Sequence, residues 1–422
     1  MDTADRTMTS APRRILWDIY EEHLDEAAFL WGQWERALVA ANYTLDQVIA
    51  GPEERLLAHL DGLVLGGRRV AERLLVPALD DDDEGKVFAG AWALAQAEDA
   101  DHLDLVVERL PKAKPPAFAA LARSLELSTR RDLPARLSTL WKTSDARVQG
   151  ALIDILAPRD PAWAGARLET CLAAGAPAVQ AAALRGLRGT MDRVLGGYVG
   201  EALSSPDANV RHEAIATGYA MRMPEAVDAC RREALATGES CRLPLALLAL
   251  AGTPADRELI LSRISVPEAR RHALWALGFF GVVEAADGLV AMLGDQDAAR
   301  VAGESLSAIT GIVVDGPMAK PGETKGPGVE DVQPDDPAPE ALPEDLLRVP
   351  AASAVRDWWR GARGRFQPGV RYLCGKPWSE GAVRDALGKV AMWRRPALAL
   401  EVMAKWGGSA VNVRGWGDPS GS

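Results

Sequence analysis

Small and apolar residues recur at a fixed spacing through the middle of the chain. An apolar anchor residue opens each recurrence, and further small or apolar residues follow four and eight positions later. Residues at these spacings lie on one stripe of an α-helix, where small side chains let neighbouring helices approach closely. The clearest triplets are Val148, Leu152 and Leu156; Val179, Ala183 and Leu187; Val210, Ala214 and Gly218; Cys241, Leu245 and Ala249; Ala269, Ala273 and Leu277; and Ala298, Ala302 and Leu306.

The anchors follow one another at intervals of 31, 31, 31, 28 and 29 residues. Two further steps of 31 residues towards the N-terminus reach Ala117 and Lys86, so that eight units fit one register. The unit of Cys241 fits poorly because Pro244 falls in its first turn, where a proline limits the helix.

A second amphipathic stretch separates each anchor from the next. Pro161, Pro224 and Pro254 stand near the starts of three of these stretches, where a helix tolerates a missing N–H. A pair of helices this short cannot bury its apolar stripe alone, so the pairs must stack. The pattern therefore predicts an all-α fold: an α-solenoid of HEAT-like helix pairs, that is, an ARM-type superhelix, over residues 81–314.

The regions around the solenoid differ from it in composition. Helical residues 15–80 are predicted to form an N-terminal cap, and the alternative for their Trp17, Phe29, Trp31 and Trp34 is a partner-binding aromatic surface. Residues 315–345 contain seven prolines without apolar periodicity, which predicts an acidic Pro/Gly-rich linker. A small basic, Trp-rich helical module is expected at 346–410, and disorder is expected at the two ends, 1–14 and 411–422.

Charge is distributed as unevenly as composition. The net charge of −11 divides into about −12 over residues 1–314, about −7 over 315–345 and about +8 over 346–422. An acidic chain repels a phosphate backbone, so nucleic acid is disfavoured as a partner.

The basic module, here called the tail, holds six of the thirteen tryptophans when Trp416, just outside 346–410, is counted with it. Helices are predicted at 351–362, 379–391 and 395–406, with a Gly/Pro-rich loop after the first. Arginine beside tryptophan suits either an external acidic partner or docking on the acidic solenoid of the same chain, and we favour docking. The candidate partner-binding residues are Trp358, Trp359, Arg363, Arg365, Arg371, Trp378, Trp393, Arg394 and Arg395.

Residues 268–311, EARRHALWALGFFGVVEAADGLVAMLGDQDAARVAGESLSAITG, resemble the short HEAT repeats of phycobilin lyases. The resemblance implies the fold and a tendency to bind, but not lyase activity. The whole chain also resembles a family of proteobacterial proteins in which repeats precede a W-W…F-x-P-G-x-R-Y-L-x-G-x-P module, matched here by Trp358, Trp359, Phe366, Pro368, Gly369, Arg371, Gly375 and Pro377. Genes of that family often lie beside type VI secretion genes, which implies an accessory role there.

Catalytic signatures do not emerge from the sequence. It contains no Walker loop, G-x-S-x-G, H-E-x-x-H or Cys–His signature, and its four cysteines and five histidines are scattered. No catalytic residue, metal site or cofactor is therefore expected. The polar start and the lack of long apolar runs predict a cytoplasmic chain without membrane insertion. The predicted function is a non-catalytic protein-binding scaffold or adaptor; the alternative is a HEAT-repeat enzyme, DNA glycosylase-like or bilin-lyase-like.

Overall fold

A computed structural model describes residues 15–142, 144–173, 176–322, 342–407 and 411–417. The described chain is almost entirely helical and forms two compact units, the first made of Met1–Gly32 with Glu54–Arg130 and the second of Gln33–Glu53 with Arg131–Ser422. None of the described helices is both long and apolar enough to cross a bilayer.

The α-helices are α1 (Trp17–Ala37), α2 (Leu45–Val48), α3 (Glu54–Leu65), α4 (Gly67–Val70), α5 (Val76–Ala78), α6 (Glu84–Gln96), α7 (Ala100–Arg109), α8 (Ala117–Leu127), α9 (Leu133–Ser138), α10 (Ala146–Leu156), α11 (Pro161–Ala173), α12 (Pro177–Thr190), α13 (Gly196–Ala202), α14 (Ala208–Ala220), α15 (Pro224–Glu233), α16 (Arg242–Ala251), α17 (Pro254–Arg263), α18 (Pro267–Phe280), α19 (Val283–Met292), α20 (Ala299–Thr310), α21 (Ala352–Ala362), α22 (Glu380–Lys389) and α23 (Arg395–Trp406). Two short strands, β1 (Tyr372–Leu373) and β2 (Lys376–Pro377), form an antiparallel hairpin. π-helical turns span Ile49–Glu53 and Ala71–Leu75, and 3-10 turns span Leu110–Lys112, Arg193–Leu195, Gly238–Cys241, Gly316–Met318, Pro343–Leu346, Arg363–Arg365 and Met392–Arg394.

In the first unit, the N-terminal helix packs directly on a repeat helix. The Trp31 ring of α1 stacks on Phe88 of α6 with 4.7 Å between centroids. A Cβ atom on Gly85 would lie 2.7 Å from the carbonyl oxygen of Ala28, so the two backbones touch. These contacts are those expected of a cap. Since α3 also packs on α6, the unit does not end at the predicted boundary at residue 80.

In the second unit, the repeat register is confirmed. Helices α10, α12, α14, α16, α18 and α20 pack side by side as a first layer, and α11, α13, α15, α17 and α19 pack against them as a second. Every member of the six triplets is buried. The structure thus is the predicted all-α solenoid of HEAT-like helix pairs.

Proline positions follow the prediction as well. Pro161, Pro224 and Pro254 are the first residues of α11, α15 and α17. The unit of Cys241 accommodates its proline by starting its helix later. Cys241 ends a 3-10 turn, and Pro244 is the third residue of α16. There its missing N–H falls among the donors that a helix start leaves unpaired in any case.

Ion pairs connect successive repeats of the first layer. Arg185 of α12 donates two hydrogen bonds of 2.8 Å to Asp154 of α10 and one of 3.0 Å to Glu213 of α14. Burial disfavours the charged Arg185, yet the pKa of this guanidinium is raised because the two carboxylates outweigh that penalty. Arg188 pairs with the same Glu213 at 2.8 Å. Four charged groups therefore join three neighbouring helices.

The tail helices occur close to their predicted positions, and the tail docks on repeats of its own chain. Helix α23 packs on α14 and α16, α21 packs on α19, and β1 packs on α20. Docking in cis was the favoured of the two predicted arrangements. It brings basic side chains onto acidic ones, and it also buries the apolar faces of the tail helices.

The predicted linker and C-terminal end are partly structured. The amide of Lys320 donates to Val349 at 2.9 Å and the amide of Ala351 donates to Met318 at 2.8 Å, so the N-terminal end of the 315–345 segment pairs with the start of the tail. Its residues 323–341 lie outside the described residues, as do 1–14 and 418–422.

Disorder was predicted for 411–422, and this is wrong for 411–417. The Trp416 ring packs on Trp34 with 4.6 Å between centroids. The amide of Gly417 donates to Glu53 at 2.8 Å. Burial of an aromatic ring supplies the free energy that orders this otherwise polar stretch.

Candidate functional site

The tail hairpin covers the C-terminal ends of two first-layer helices through Arg371. Its guanidinium donates to carbonyl oxygens in the last turns of α16 and α18, at 2.9 to 3.4 Å. These carbonyls lack partners within their helices and carry the negative end of the helix dipole, so a cation is favourable there. The ring of Trp378 covers the guanidinium at 4.1 Å. Burial lowers the pKa of Arg371.

The backbone of the hairpin extends this attachment to a third helix. The amide of Tyr372 donates to Gly281 at 2.7 Å, just beyond α18. The amides of Cys374 and Gly375 donate into the last turn of α20 at 2.7 and 2.9 Å. Gly375 has φ +77°, and a Cβ there would lie 2.7 Å from the Thr310 oxygen. Glycine is needed at this turn for both reasons.

A second arginine, Arg394, enters between α18 and α20. It is fully buried and donates to both carboxylate oxygens of Glu304 at 2.7 and 2.6 Å. Its remaining donors contact the Ser305 hydroxyl at 2.8 Å and the Trp275 carbonyl at 3.1 Å. The Trp393 indole N–H donates to the same Glu304 at 3.1 Å. The buried charge is thus paired and hydrogen-bonded, as burial requires.

Space for this side chain comes from a glycine. A Cβ on Gly278 of α18 would lie 2.6 Å from the nearer terminal nitrogen of Arg394. The guanidinium also lies 4.7 Å from the ring centroid of Phe279. The glycine therefore lets the tail arginine reach the helix surface.

Two further polar contacts hold the tail. Trp359 and Arg363 both donate to Asp287 of α19, each at 2.9 Å. The hydrogen bond from Arg363 is the main reason that the pKa of Asp287 is lowered. In α14, the Tyr219 hydroxyl donates to buried Glu401 of α23 at 2.7 Å. Burial, together with this carboxylate, raises the pKa of Tyr219.

The candidate residues of the tail therefore separate into two groups. Six of them are held inside the tail or between the tail and the repeats, where they make intramolecular contacts; they are Trp359, Arg371, Trp378, Trp393, Arg394 and Arg395. The physical reason is that the repeats offer carbonyl groups and carboxylates that pair with the arginines. The other three members are half-buried Trp358 and exposed Arg363 and Arg365.

An open groove of about 550 Å³ lies where this interface ends. It runs between the start of α14, the turn that precedes α16, and the start of α23. Its wall combines repeat and tail residues, so neither part forms it alone. The lining residues are Val39, Ala208, Asn209, Arg211, His212, Ile215, Glu233, Glu239, Ser240, Arg242, Leu243, Pro244, Trp275, Trp393, Pro396 and Ala397.

Arg242 is the central polar group of the groove. Its guanidinium lies over the rings of Trp275 and Trp393, at 4.6 and 5.1 Å from their centroids. The nearest carboxylate oxygen, on Glu239, is 3.7 Å away. Burial lowers the pKa of Arg242, because the charged form is only weakly compensated.

The acidic residues of the rim are engaged with other arginines. Glu233 accepts a hydrogen bond from Arg211 at 3.3 Å. Glu239 accepts one from Arg271 at 2.5 Å. The groove therefore offers apolar walls and one arginine without a strong partner.

Sequence reasoning did not single out this groove. Arg211 and Arg242 each directly follow a repeat anchor, a position where arginine or glutamine recurs, and that recurrence was the available signal. Among the described residues, no group of three or more His, Cys, Asp and Glu side chains is placed to hold a metal.

No protein-family model matches the chain, and no curated protein sequence matches it significantly. Among solved structures, the chain is similar to the Escherichia coli protein YibA, with 12% identity and a TM-score of 0.32, over 71% of this chain and 98% of that one. It is also similar to human deoxyhypusine hydroxylase in complex with glycerol, with 18% identity and a TM-score of 0.27, over 63% of this chain and 98% of that one. At such TM-scores the likeness carries no functional argument, and the HEAT-like fold rests on the repeat packing described above.

Proposed function

We propose that this chain is a non-catalytic protein-binding scaffold and that the groove is where it binds its protein partner. The observation that carries the proposal is the open groove with apolar walls and a polar rim on the first layer of repeat helices. Its volume of about 550 Å³ is within the range of sites that bury several side chains of a ligand. Stacked repeats suit this role because each helix pair is held by its neighbours.

Rigidity of the walls supports the same role. Trp393 and Ala397 belong to the tail, and the tail is fixed by the buried pair of Arg394 and Glu304. A wall that is already ordered loses little conformational entropy when a partner binds. Docking of the tail therefore prepares the groove for binding.

Three ion-paired titratable groups also fit a structural role. Arg185 and Glu213 have shifted pKa values because they pair across repeats, and Asp287 has one because it receives Arg363 and Trp359. Each of these groups connects structural elements. Such shifts are those of structural ion pairs, which perturb pKa values as catalytic sites do.

The family resemblance narrows the proposed partner. If the chain acts beside a type VI secretion system, its partner is a spike, effector or adaptor protein of that system, and the chain acts in the cytoplasm. The enzymatic alternatives would instead require a nucleic acid or a chromophore as ligand. One affinity experiment distinguishes these classes.

The experiment compares three baits made from the full chain in a lysate of the native source. Ala208→Trp places an indole in the groove from an exposed position, so the fold is retained. Ala119→Trp is the matched control, since Ala119 is exposed on α8 and lies outside the groove. Proteins retained by the wild type are identified by mass spectrometry and then titrated in purified form against each bait.

The proposal predicts that a purified partner binds the wild type and Ala119→Trp equally and Ala208→Trp at least tenfold more weakly. Equal binding to all three baits would place the partner elsewhere and contradict the groove. Retention of nucleic acid or a chromophore, without a groove-dependent protein, would support the enzymatic alternatives.

A further inference from the structure

We infer that the groove recognises an extended segment of its protein partner that carries an acidic side chain flanked by apolar side chains. The inference rests on the proposed function and names the chemistry of the partner at the same site. It is carried by the arrangement of hydrogen-bond donors, acceptors and apolar surface around Arg242.

Arg242 presents donors that have no strong acceptor. A guanidinium has five N–H groups, and within the described residues none of those of Arg242 has a hydrogen-bond acceptor; Glu239, at 3.7 Å, is the carboxylate nearest to it. The tryptophan rings of Trp275 and Trp393 hold the planar group in place without using those donors. A carboxylate from a partner supplies two acceptor oxygens in the geometry that a guanidinium fits best.

Carboxylates of the chain itself lie closer to other arginines. Glu239 and Glu344 both pair with Arg271, at 2.5 and 3.1 Å. On the other side, Glu233 pairs with Arg211. An incoming carboxylate therefore has to displace only the 3.7 Å ion pair of Arg242 with Glu239.

The rest of the wall is apolar. Val39 is 62% exposed although it is a valine, and Leu243 and Pro396 also present apolar surface to the groove. Apolar side chains on both sides of the acidic residue would cover this surface and exclude water from the ion pair. The combination suits a peptide with alternating acidic and apolar residues.

A phosphate backbone fits the groove less well. Glu233 and Glu239 stand on the rim, so a polyanion would meet negative charge on either side of Arg242. Nucleic-acid grooves instead line up several cations along the strand. Of the two arginines that line the groove, Arg211 is hydrogen-bonded to Glu233, so Arg242 is left to bind a single acidic side chain.

The test is selection of a phage-displayed random heptapeptide library on the intact full-length chain, followed by titration of the enriched peptide in fluorescein-labelled form. We expect enriched sequences in which aspartate or glutamate stands between leucine, isoleucine, phenylalanine or similar residues. The peptide's amide counterpart, with asparagine or glutamine at the acidic position, should bind at least tenfold more weakly. Hexanoate at millimolar concentration should compete poorly, which distinguishes a peptide from a small carboxylate.

Three variants place that binding in the groove. Arg242→Gln should weaken the peptide at least tenfold, with unchanged circular dichroism as the check on folding. Val39 is exposed, so its replacement leaves the fold intact: Val39→Glu should weaken binding by charge repulsion, and Val39→Lys should preserve or strengthen it. If Arg242→Gln unfolds the chain, the comparison of Val39→Glu with Val39→Lys still tests whether the peptide binds in the groove.

A library without enrichment, a basic or purely apolar consensus, or equal binding by Val39→Glu and Val39→Lys would overturn the inference. Its failure is separable from failure of the proposed function. A protein partner that is lost with Ala208→Trp but bound normally by Arg242→Gln keeps the scaffold role and removes the acidic recognition. Absence of any groove-dependent protein removes the scaffold role itself.

Discussion

At the residue scale, the tail is held by side chains that need space on the repeat helices, and a glycine without a side chain provides it. Arg394 lies against Gly278, the one residue type that leaves room for a guanidinium on that helix surface. The side chain of its partner Glu304 is only 11% exposed, so water competes little with the ion pair. The fit of the tail is therefore sensitive to a single methyl group.

Two glycines in neighbouring helices should respond oppositely to alanine. Gly278→Ala should destabilise the chain by about 1 to 3 kcal/mol, because the new methyl group displaces Arg394. Gly288→Ala should stabilise it by about 0.5 to 1 kcal/mol, because nothing lies near that position in α19 and alanine favours a helix. Urea denaturation followed by tryptophan fluorescence measures both changes. Equal effects would mean that Arg394 is not seated on Gly278.

His272 should give the chain a specific pH dependence. Burial lowers the pKa of His272 to about 4, and its Nε2 accepts a hydrogen bond from Arg271 at 3.2 Å, which requires the neutral ring. The unfolded histidine titrates near 6.5, so between these values the unfolded state binds more protons. Stability from this group is complete above about pH 6.5 and is lost as the pH falls towards 4, by up to about 3 kcal/mol.

Comparison of the wild type with His272→Gln isolates this contribution, because carboxylates titrate in both proteins. The unfolding free energy of the wild type minus that of His272→Gln should fall steadily from pH 7 to pH 4, because only the wild type loses the contribution of His272. Parallel pH profiles would show that His272 is not held neutral in the fold.

The residue scale also shows which parts of the site a sequence can reveal. The six anchors from Val148 to Ala298 were predictable because each repeats the same spacing, and all six are buried. The tail arginines and tryptophans were recognisable as a cluster. The partners of these side chains were not predictable from the sequence. Glu304 and Gly278 lie 90 residues or more before Arg394 in the chain and contact it only in the folded structure.

At the element scale, the tail hairpin fastens three first-layer helices at their C-terminal ends. Arg371 donates hydrogen bonds to carbonyl oxygens of α16 and α18, and the amides of Cys374 and Gly375 donate to carbonyl oxygens of α20. A solenoid is stabilised mainly between neighbours, so an element that joins three helices resists separation of the stack. Arg371, Tyr372 and Gly375 of the F-x-P-G-x-R-Y-L-x-G-x-P motif thus have a structural explanation.

Replacement of Arg371 by alanine should destabilise the chain by about 3 kcal/mol or more. The change removes a charged donor from several buried helix carbonyls and leaves them unpaired. Arg360→Ala is the control, because Arg360 is 78% exposed and, among the described residues, pairs only with Asp357 in its own helix. Its cost should be below about 1 kcal/mol. Guanidinium denaturation curves compare the two variants. A similar loss of unfolding free energy for both would contradict the proposed role of Arg371 in joining α16 and α18.

The element scale separates predictable features from unpredictable ones as well. The three tail helices were visible as amphipathic stretches, and the loop between the first two was visible as Gly/Pro-rich sequence. Its hairpin and its contacts were not, because backbone hydrogen bonds to Gly281 or α20 leave no pattern in side-chain type. Position 375 is the exception, where a glycine within the turn hinted at a positive φ.

At the scale of the whole molecule, stacking of the first layer is what the rest depends on. Ala273 is fully buried where α18 meets its neighbours. Ala273→Asp should cost several kcal/mol, because a carboxylate there has neither room nor a partner. Ala119→Asp, on an exposed position of α8, should change stability by less than about 1 kcal/mol. Thermal unfolding checks both, and a tolerated Ala273→Asp would refute the repeat register.

The groove belongs to this scale too, which explains why no sequence pattern revealed it. Its walls come from residue 39, from 208–244, from Trp275 and from 393–397, parts of the chain that only the docked tail brings together. Repeat periodicity predicts the layer on which the groove lies. The position of the tail on that layer depends on individual pairs such as Arg394 with Glu304.

Amide hydrogen exchange on the intact chain, read by mass spectrometry with residue-level fragmentation, tests most directly that tail and repeats form one structural unit. The account predicts that the amides of Tyr372, Cys374 and Gly375 exchange as slowly as those in the middle of α18, because they donate to the repeat helices. Exchange of these three amides at the rate of an unstructured loop, while α18 stays protected, would contradict docking of the tail and with it the groove.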